Sequence, residues 1–443
     1  MVKELFKKRE SFNSLMFIIL YCFIGVLNGV LFDVLMTFLQ LTSSEIANSF
    51  SSFLGIASFI GACLIFLVPK TGYKKLMLLG PIVAAASLLI IIFSNEVFIK
   101  SISVLLLITG LTLFDVILGP YLSSYTNASN RTLYFTAAFY TNVVGCLLGT
   151  LTGGPLIVSF FAKKLNIAFE AAKVLTSKVS SLSFMQRTVY IEAHKNVLIF
   201  FVFILVISII PILLIRESKE DYRKIQQEEK TKFNINAFFS KSALIFLAYM
   251  IICKIAVSLI VPYVSIYLGT LGINRASISF IMTAQYFAIL LIMPFAPYLI
   301  KKLGQINMLA WCCLAAVPFM FIIGYGGIPG MSVVAVISAS LFFRSGLINA
   351  TSPVFSSLPM ELVDKEYRPA YSSIIFISQG IAQTITGLFA KNMLFSNNLG
   401  YGKAYFIAGV LFAAAQLILL TNFRSLNVNI LTGSKQRETS TDC

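Results

Sequence analysis

The chain has 443 residues, of which 58% are hydrophobic and only 12% are charged. Soluble globular proteins average about 25% charged residues, so this composition excludes an ordinary soluble enzyme or binding domain. The formal net charge of +16 does not indicate a nucleic-acid partner, because many of the cations flank apolar stretches instead of forming one basic patch.

The apolar residues come in stretches of roughly 20, the length at which an α-helix crosses the hydrocarbon core of a bilayer. The short alternating segments of a transmembrane β-barrel are not found in the sequence. The sequence therefore predicts an all-α membrane protein with 12 transmembrane helices in the lipid bilayer. These spans are predicted at 14–40, 47–68, 76–94, 101–125, 133–161, 196–215, 243–268, 277–299, 306–325, 331–355, 370–393 and 404–423.

The first span follows a short N-terminal segment, 1–13, and is too long to be a signal peptide, so we expect it to be retained. Its Gly25, Gly29 and Asp33 share one helix face, with Asn28 beside them. A charge near the centre of a bilayer costs about 2.5–3.5 kcal/mol and therefore usually faces a helix bundle interior or a water-filled path. Asp33 lies nearer the end of its span, so an interfacial acid in contact with water is the alternative interpretation.

Two loops and two span ends are similar in the two parts of the chain. Span 2 leads into Lys-Thr-Gly-Tyr-Lys-Lys at 70–75, and span 8 leads into Lys-Leu-Gly at 302–304. Span 4 ends in Pro-Tyr-Leu-Ser-Ser at 120–124, and span 10 ends in Pro-Val-Phe-Ser-Ser at 353–357. Equivalent turns after equivalent spans indicate an internal duplication, which is a common way to build a transporter.

Span 5 carries Gly145, Gly149 and Gly153, followed by Gly154 and Pro155. Glycines four residues apart lie on one helix face, where they allow a neighbouring helix to approach closely, so plain helix packing is the first interpretation. The 162–195 segment that follows is predicted to be a loop, either an interfacial helix or an outer lid, and contains the only histidine, His194. A histidine-rich metal centre is therefore not expected.

A charged segment, 216–241, divides the chain into two six-helix bundles, 14–215 and 242–424, and is predicted to be a solvated linker. The residues 425–443 form a tail. Placing the N-terminus in the cytoplasm also puts the linker and the tail there, and most loop cations with them. The 162–195 loop is then extracellular, although it holds six cations: Lys163, Lys164, Lys173, Lys178, Arg187 and Lys195.

Four ionisable residues lie inside apolar runs, one each on spans 1, 4, 7 and 10: Asp33, Asp115, Lys254 and Arg344. Both acids are in the first half and both bases in the second, so opposite charges line a cavity between the halves. We expect them to pair when the cavity is empty and to separate around a substrate. Because a nearby cation changes how readily a buried carboxylate binds a proton, Asp33 or Asp115 is predicted to carry a proton. Gln285 on span 8 and Gln379 and Gln383 on span 11 are candidates for the same pathway, or for interhelical hydrogen bonds.

These features resemble the major facilitator superfamily over nearly the whole chain. That family's loop after span 2 reads G-x-x-x-D-[RK]-x-G-[RK]-[RK], and 65–75 is similar to it, with Ile65 at the first glycine and Pro69 at the acid. The segment from Asn349 through Glu361 to Arg368 resembles the family's junction between spans 10 and 11. The resemblance implies two bundles that rock around a central cavity, and a latch at the motif loops: Lys70, Gly72, Lys74, Lys75, Lys302, Gly304, Glu361 and Arg368. The missing acid implies that the latch's charge relay is incomplete or rerouted.

Span 5 is also similar to the antiporter motif of facilitator drug exporters, which slightly favours proton-coupled export of amphipathic compounds. A symporter or uniporter importing an anionic or zwitterionic metabolite, held by Arg344 and Lys254, is the alternative. A non-transporting sensor or assembly protein is the alternative from another class. An embedded enzyme is not expected, since the sequence has no nucleophile elbow or phosphate loop. No cofactor is expected beyond a proton gradient as the energy source. The expected partner is a small-molecule substrate, and the chain is expected to be a monomer. Its Lys-, Asn-, Ile- and Phe-rich composition indicates a bacterial plasma membrane.

Overall fold

The computed structural model describes residues 9–126, 131–219, 241–362, 368–395 and 399–439. In these ranges, 11 helices are long and apolar enough to cross a membrane, and a shorter apolar helix spans Phe50–Leu64. The helical backbone of that shorter helix continues to Thr71 through a 3₁₀ turn and a short α-helix that contains Pro69. The long helices and this one are labelled in chain order as α1 Arg9–Thr42, α2 Phe50–Leu64, α3 Tyr73–Phe93, α4 Val97–Tyr125, α5 Arg131–Leu165, α6 Phe184–Leu214, α7 Lys241–Thr270, α8 Arg275–Leu303, α9 Gln305–Gly324, α10 Val333–Ala350, α11 Arg368–Phe389 and α12 Leu399–Thr439.

Helix packing divides the chain into two halves, α1–α6 and α7–α12. In the first half α1 packs on α5, and α4 packs on α2 and α3. In the second half α7 packs on α11, and α10 packs on α8 and α9. These are equivalent pairs six helices apart, as a duplicated bundle requires. Between the halves, α5 packs on α8 and α2 packs on α11. Small residues make these contacts: the Thr150 and Thr283 hydroxyls are 3.0 Å apart, and Gly55 lies against Gly380.

One turn is repeated in the two halves. Gly72 separates the α2 continuation from α3, with φ 81° and ψ 163°. Gly304 separates α8 from α9, with φ 81° and ψ 161°. Because this positive φ is open to glycine and strained for other residues, both copies of the motif need a glycine at this position. The backbone therefore repeats the duplication that the motif indicates.

The segment 162–195 is mostly helical, and the predicted start of span 6 at 196 was wrong. Helix α5 continues to Leu165, a short helix covers Phe169–Leu175, and α6 begins at Phe184 rather than at 196. Ser183 caps α6 in a capping box with Gln186. In the first turns of α6, Arg187, Glu192 and Lys195 interrupt the apolar run, so the sequence suggests a later start for this helix. The buried residues of the same turns nevertheless recur with a helical period. His194 accordingly lies inside α6 and is fully buried, not in a loop.

The predicted linker, 216–241, falls largely outside the described residues, which end at 219 and resume at 241. At the other end of the chain, α12 does not stop at 424. Its helical backbone continues through much of the predicted tail, to Thr439. The division into two bundles thus follows from packing, whereas the form of the connection between them stays a prediction.

Candidate functional site

Three cavities, each of about 240 Å³, adjoin one another in the interior. One lies between the two halves, one is lined by the second half together with Phe32 of α1, and one is lined by the second half alone. They form one central space, because all three are lined by Val257 and neighbouring pairs share further residues. Of the eight residues that the sequence assigned to the substrate and proton pathway, seven line this space: Asn28, Asp115, Lys254, Gln285, Arg344, Gln379 and Gln383. Helices α1, α4, α7 and α10 each contribute, as predicted from the positions of the ionisable residues. Asp33 is the exception.

Asp115 and Lys254 face each other across one part of the central space. Both residues line the same cavity, from α4 and α7, and their charges interact across it. The Tyr21 hydroxyl on α1 donates a hydrogen bond of 2.6 Å to Asp115 Oδ1. Tyr21 could not be identified from the sequence, since it is one of 18 tyrosines, most of them in apolar surroundings. Asp115 is therefore held from one side by a hydroxyl and faces a cation on the other half.

Arg344 occupies another part of the central space and is almost fully buried, with 4% of its surface exposed. Its guanidinium lies 6.0 Å from the centroid of the Tyr405 ring, a distance at which a cation is attracted to the ring face. No acidic residue lines this cavity, and no ion pair between described residues involves Arg344. Ser345 donates a hydrogen bond of 2.9 Å to Gln285 Oε1, which fixes the amide beside the cation. Arg344 is thus a buried donor that faces a cavity.

Asp33 pairs with a residue that the sequence analysis did not identify. Its Oδ1 lies 2.6 Å from Nη2 of Arg275 at the start of α8, and Ser279 Oγ donates a hydrogen bond to its Oδ2. Asp33 and Arg275 are 0% and 1% exposed. The expected pairing with Lys254 or Arg344 and the interfacial alternative were therefore both wrong for Asp33. Arg275 lies just before the predicted span 8, outside the apolar run that drew attention to the other charges.

His194 and Tyr190 of α6 lie beside the Asp33–Arg275 pair. His194 Nδ1 donates to the Tyr190 carbonyl at 2.9 Å, and the two rings pack edge to face at 4.6 Å. Both side chains lie near enough to Arg275 for electrostatic interaction. The Arg275 backbone N–H donates to Thr176 Oγ1, at 3.1 Å, so the segment before α6 also contacts the second half. The segment 162–195 is therefore part of the contact between the two halves at this end of the molecule.

The same end of the molecule carries a set of polar contacts between the halves, which we call the seal. Tyr263 and Tyr401 donate to Asn48, at 3.0 Å to the carbonyl and 2.9 Å to Oδ1 respectively. Ser51 Oγ donates to the Ser258 carbonyl at 2.6 Å. Lys391 Nζ lies 2.7 Å from Glu45 Oε1 at the surface. The buried Asp33–Arg275 pair also joins the halves at this end. The seal consists of Glu45, Asn48, Ser51, Ser258, Tyr263, Lys391 and Tyr401.

The exposed pair in the seal predicts a pH dependence. The hydrogen bond from Lys391 and then its charge lower the pKa of Glu45. A lowered pKa means that the paired arrangement is favoured while Glu45 is ionised and is lost as the pH falls through that lowered value. We expect spin labels at positions 44 and 392 to move apart slightly as acidification protonates Glu45, and Glu45→Gln to show the wider spacing at every pH. Glu96→Gln, at an exposed acid on the same end, is the control. A Glu45→Gln variant that keeps the pH response contradicts this assignment.

The latch motif is completed within the first half by an acid from elsewhere in the chain. Glu217 accepts backbone hydrogen bonds from Tyr73, at 2.6 Å, and Lys74, at 3.2 Å, at the start of α3. Lys74 Nζ donates to the Leu213 and Ile215 carbonyls, at 2.7 and 2.8 Å. A carboxylate at a helix N-terminus is favourable, so Glu217 supplies there the negative charge that Pro69 lacks.

The remaining latch candidates do not form one contact set in the described residues. Lys70, Lys75 and Lys302 are exposed. Glu361 ends the helix Ser352–Glu361, Arg368 begins α11, and 363–367 lie outside the described residues. Their role as a latch remains a prediction.

The span 5 glycines are explained by close helix packing. A Cβ at Gly145 would overlap the Cys22 carbonyl of α1, and one at Gly149 would overlap the Val26 carbonyl. Gly153 also faces α1, beside Val34. Gly154 instead faces α8, where a Cβ would overlap Ser279. The helix continues through Pro155. The first interpretation of this ladder, helix packing, therefore accounts for each glycine.

The sequence matches the profile of the Major Facilitator Superfamily over residues 14–387. No protein with a curated description matches it. Among solved structures, the nucleoside transporter NupG is similar, with a TM-score of 0.67, 14% identity, and coverage of 93% of this chain and 99% of that chain. A D-xylose-proton symporter is similar with a TM-score of 0.68, 15% identity and coverage of 92% and 96%. The xylose transporter XylE from E. coli, in a partially occluded inward open conformation, has a TM-score of 0.65, 14% identity and coverage of 94% and 99%. These likenesses establish the same fold.

Proposed function

Because the chain belongs to the Major Facilitator Superfamily of secondary transporters, we propose that it takes up a small anionic or zwitterionic solute, coupled to protons. The observation that carries this proposal is Arg344, a buried cation that faces the central space without an acidic partner among the described residues. A planar guanidinium can hold a carboxylate or phosphate by two parallel hydrogen bonds. Arg344 is therefore assigned as the main anion-binding group.

The charge balance of the central space supports an anionic group in the solute. Arg275 neutralises Asp33 outside the cavities. The lining then contains two cations, Lys254 and Arg344, and one acid, Asp115. An unbalanced buried cation is costly, so a ligand that brings one negative charge is favoured over a cationic one. A zwitterion can place its ammonium near Asp115 and its anionic group near Arg344.

Uptake is favoured over export for two reasons. The glycine ladder of α5, which resembles the antiporter motif of exporters, is accounted for by its packing on α1. The similar solved structures include a D-xylose-proton symporter, which lends support to proton-driven import here. Asp115 is the proposed proton carrier: binding a proton there removes its attraction for Lys254, and the cation becomes free to hold the solute. We further propose a monomer in a bacterial plasma membrane, driven by the pH gradient.

The test uses purified protein and proteoliposomes. We expect a small carboxylate, amino acid or organic phosphate to raise the unfolding free energy by about 2.7 kcal/mol at 100 times its dissociation constant. Arg344→Gln should abolish this stabilisation while leaving the empty protein as stable or more stable, because an unpaired buried charge is removed. Lys301→Gln, at an exposed cation, should change neither. Asp115→Asn should keep solute exchange and lose the response of uptake to an imposed pH gradient.

Other results would overturn the proposal in identifiable ways. A lipophilic cation that stabilises the protein without needing Arg344 favours the exporter. Stabilisation by no member of a panel of drugs, sugars, nucleosides and organic anions favours the non-transporting protein. An anion that binds normally to Arg344→Gln removes Arg344 from the site.

A further inference from the structure

A second polar cavity lies in the first half, away from the central space. Its volume is about 510 Å³, and it is lined by the end of α1, the connection between α3 and α4, and the first turns of α6. These segments are at the same end of the molecule as the seal. Three cations line it: Lys100, Arg187 and Lys195. None of the transport roles proposed above uses this cavity.

The cavity has positive charge and no acidic residue in its lining. Lys100 is buried, with 4% of its surface exposed, and its ammonium donates a hydrogen bond of 3.4 Å to Ser43 Oγ. Lys195 lies near enough for its charge to interact unfavourably with that of Lys100. Like charges grouped at a partly buried site are costly, so this arrangement is stabilised when a negative group neutralises them.

Two neighbouring acids pair with other cations, and Glu96, in the connection between α3 and α4, is exposed and forms no ion pair among the described residues. Glu192, on α6 between Arg187 and Lys195, pairs with Lys164 of α5. Glu170 pairs with Lys173. The three cations of the cavity therefore remain without an acidic partner in the part of the chain that the structure describes.

The surroundings of the cavity are those of a membrane surface. Phe184, which lines it, is 89% exposed, and Met185 and Phe98 nearby on the chain are 71% and 74% exposed. Large apolar side chains with this exposure belong in contact with lipid, beside a polar site at headgroup depth. We propose that the cavity binds a phosphate-bearing anion, and that its source is the headgroup of an anionic membrane lipid whose chains lie against these apolar residues.

This proposal also accounts for an exception in the charge distribution. The predicted orientation places Arg187 and Lys195 on the side of the membrane where loop cations are normally few. A site that uses their charge for binding gives a reason for them to be there. The other cations of the same segment are exposed or paired with acids and line no part of the cavity.

The test compares four probes on the delipidated full chain: phosphatidylglycerol, phosphatidylcholine, glycerol 1-phosphate and inorganic phosphate. Binding is measured by native mass spectrometry and by the shift in unfolding temperature. We expect wild type to prefer phosphatidylglycerol over phosphatidylcholine. The double variant Arg187→Gln/Lys195→Gln should bind phosphatidylglycerol about thirtyfold more weakly, since each cation near an anionic lipid surface contributes a factor of about five.

The control is Lys163→Gln/Lys178→Gln, which removes the same charge from exposed positions on the same end, and it should bind as wild type does. Both double variants change residues that are not fully buried, so they should fold, and buried Lys100 is left intact. If the soluble phosphates bind with the same dependence on Arg187 and Lys195 while the two lipids bind equally, the anion site stands and the lipid source is overturned. Equal lipid binding by both double variants, with no effect of the phosphates, overturns the proposal.

Discussion

Replacing Arg275 with glutamine is expected to destabilise the sealed arrangement of the two halves by about 3–5 kcal/mol. The variant leaves the Asp33 carboxylate fully buried without a countercharge, beside neutral hydrogen-bond donors such as the Ser279 hydroxyl. An unpaired buried charge is costly, and water reaches it once the halves separate at this end. The equilibrium should therefore shift away from the sealed arrangement, with a larger effect than any single change in the exposed part of the seal.

Two measurements test this shift. Spin labels at positions 44 and 392 report the separation of the halves, and thermal unfolding reports the stability. The double variant Asp33→Asn/Arg275→Gln should recover most of the loss, because it removes both charges and leaves groups that can hydrogen-bond to each other. Lys391→Gln removes a surface pair at the same end and should change the spacing only slightly. If Arg275→Gln behaves like Lys391→Gln, the buried pair does not hold the halves together.

Replacing Gly145 with leucine is expected to disrupt the first half, with a loss of about 3 kcal/mol or more in stability. The obstacle is backbone, because the first atom of any side chain at Gly145 would overlap the Cys22 carbonyl. A flexible neighbour could turn aside, whereas a helix backbone can only move as a unit. Helix α1 would have to move away from α5 along the face on which Gly25 and Gly29 also pack.

The matched control is Gly119→Leu on α4, where a Cβ would meet no atom within 4 Å. Both variants replace a helical glycine by a strong helix former, so helix propensity alone favours each by about 1 kcal/mol. Unfolding temperature and yield of monodisperse protein should fall for Gly145→Leu and be unchanged or higher for Gly119→Leu. Equal behaviour of the two variants would show that α1 and α5 do not need this close approach.

The central charges could be predicted because their signal is local. Asp115, Lys254 and Arg344 each interrupt a long apolar run, and the cost of burying a charge in a membrane is high enough that such residues face a common interior. Their placement on spans 4, 7 and 10 then followed from counting the spans. For the same reason the amides Gln285, Gln379 and Gln383 were found as candidates, and all three line the central space.

The partner of Asp33 could not be predicted from the sequence, because pairing depends on how two helices are rotated against each other. Asp33 lies in a π-type turn, Leu31–Leu35, which changes the helical register locally. Arg275 precedes the apolar run of α8 and looks like any cation at a membrane boundary. His194 was assigned to a loop for a related reason. Charged residues on one side of α6 interrupt the apolar run, although Tyr190, His194 and Val197 recur with a helical period on its buried side.

The threonine hydroxyls in the contacts between the halves have hydrogen-bond partners within their own helices. The Thr150 hydroxyl also lies 3.1 Å from the Cys146 carbonyl of its own helix, and the Thr283 hydroxyl donates to the Ser279 carbonyl at 2.8 Å. In the contact between α2 and α11, Thr384 likewise donates to Gly380 of its own helix at 2.9 Å. Each hydroxyl keeps this local partner when water enters between the halves. When water enters, these threonine hydroxyls therefore exchange weak contacts for equivalent ones, so separating them costs little free energy.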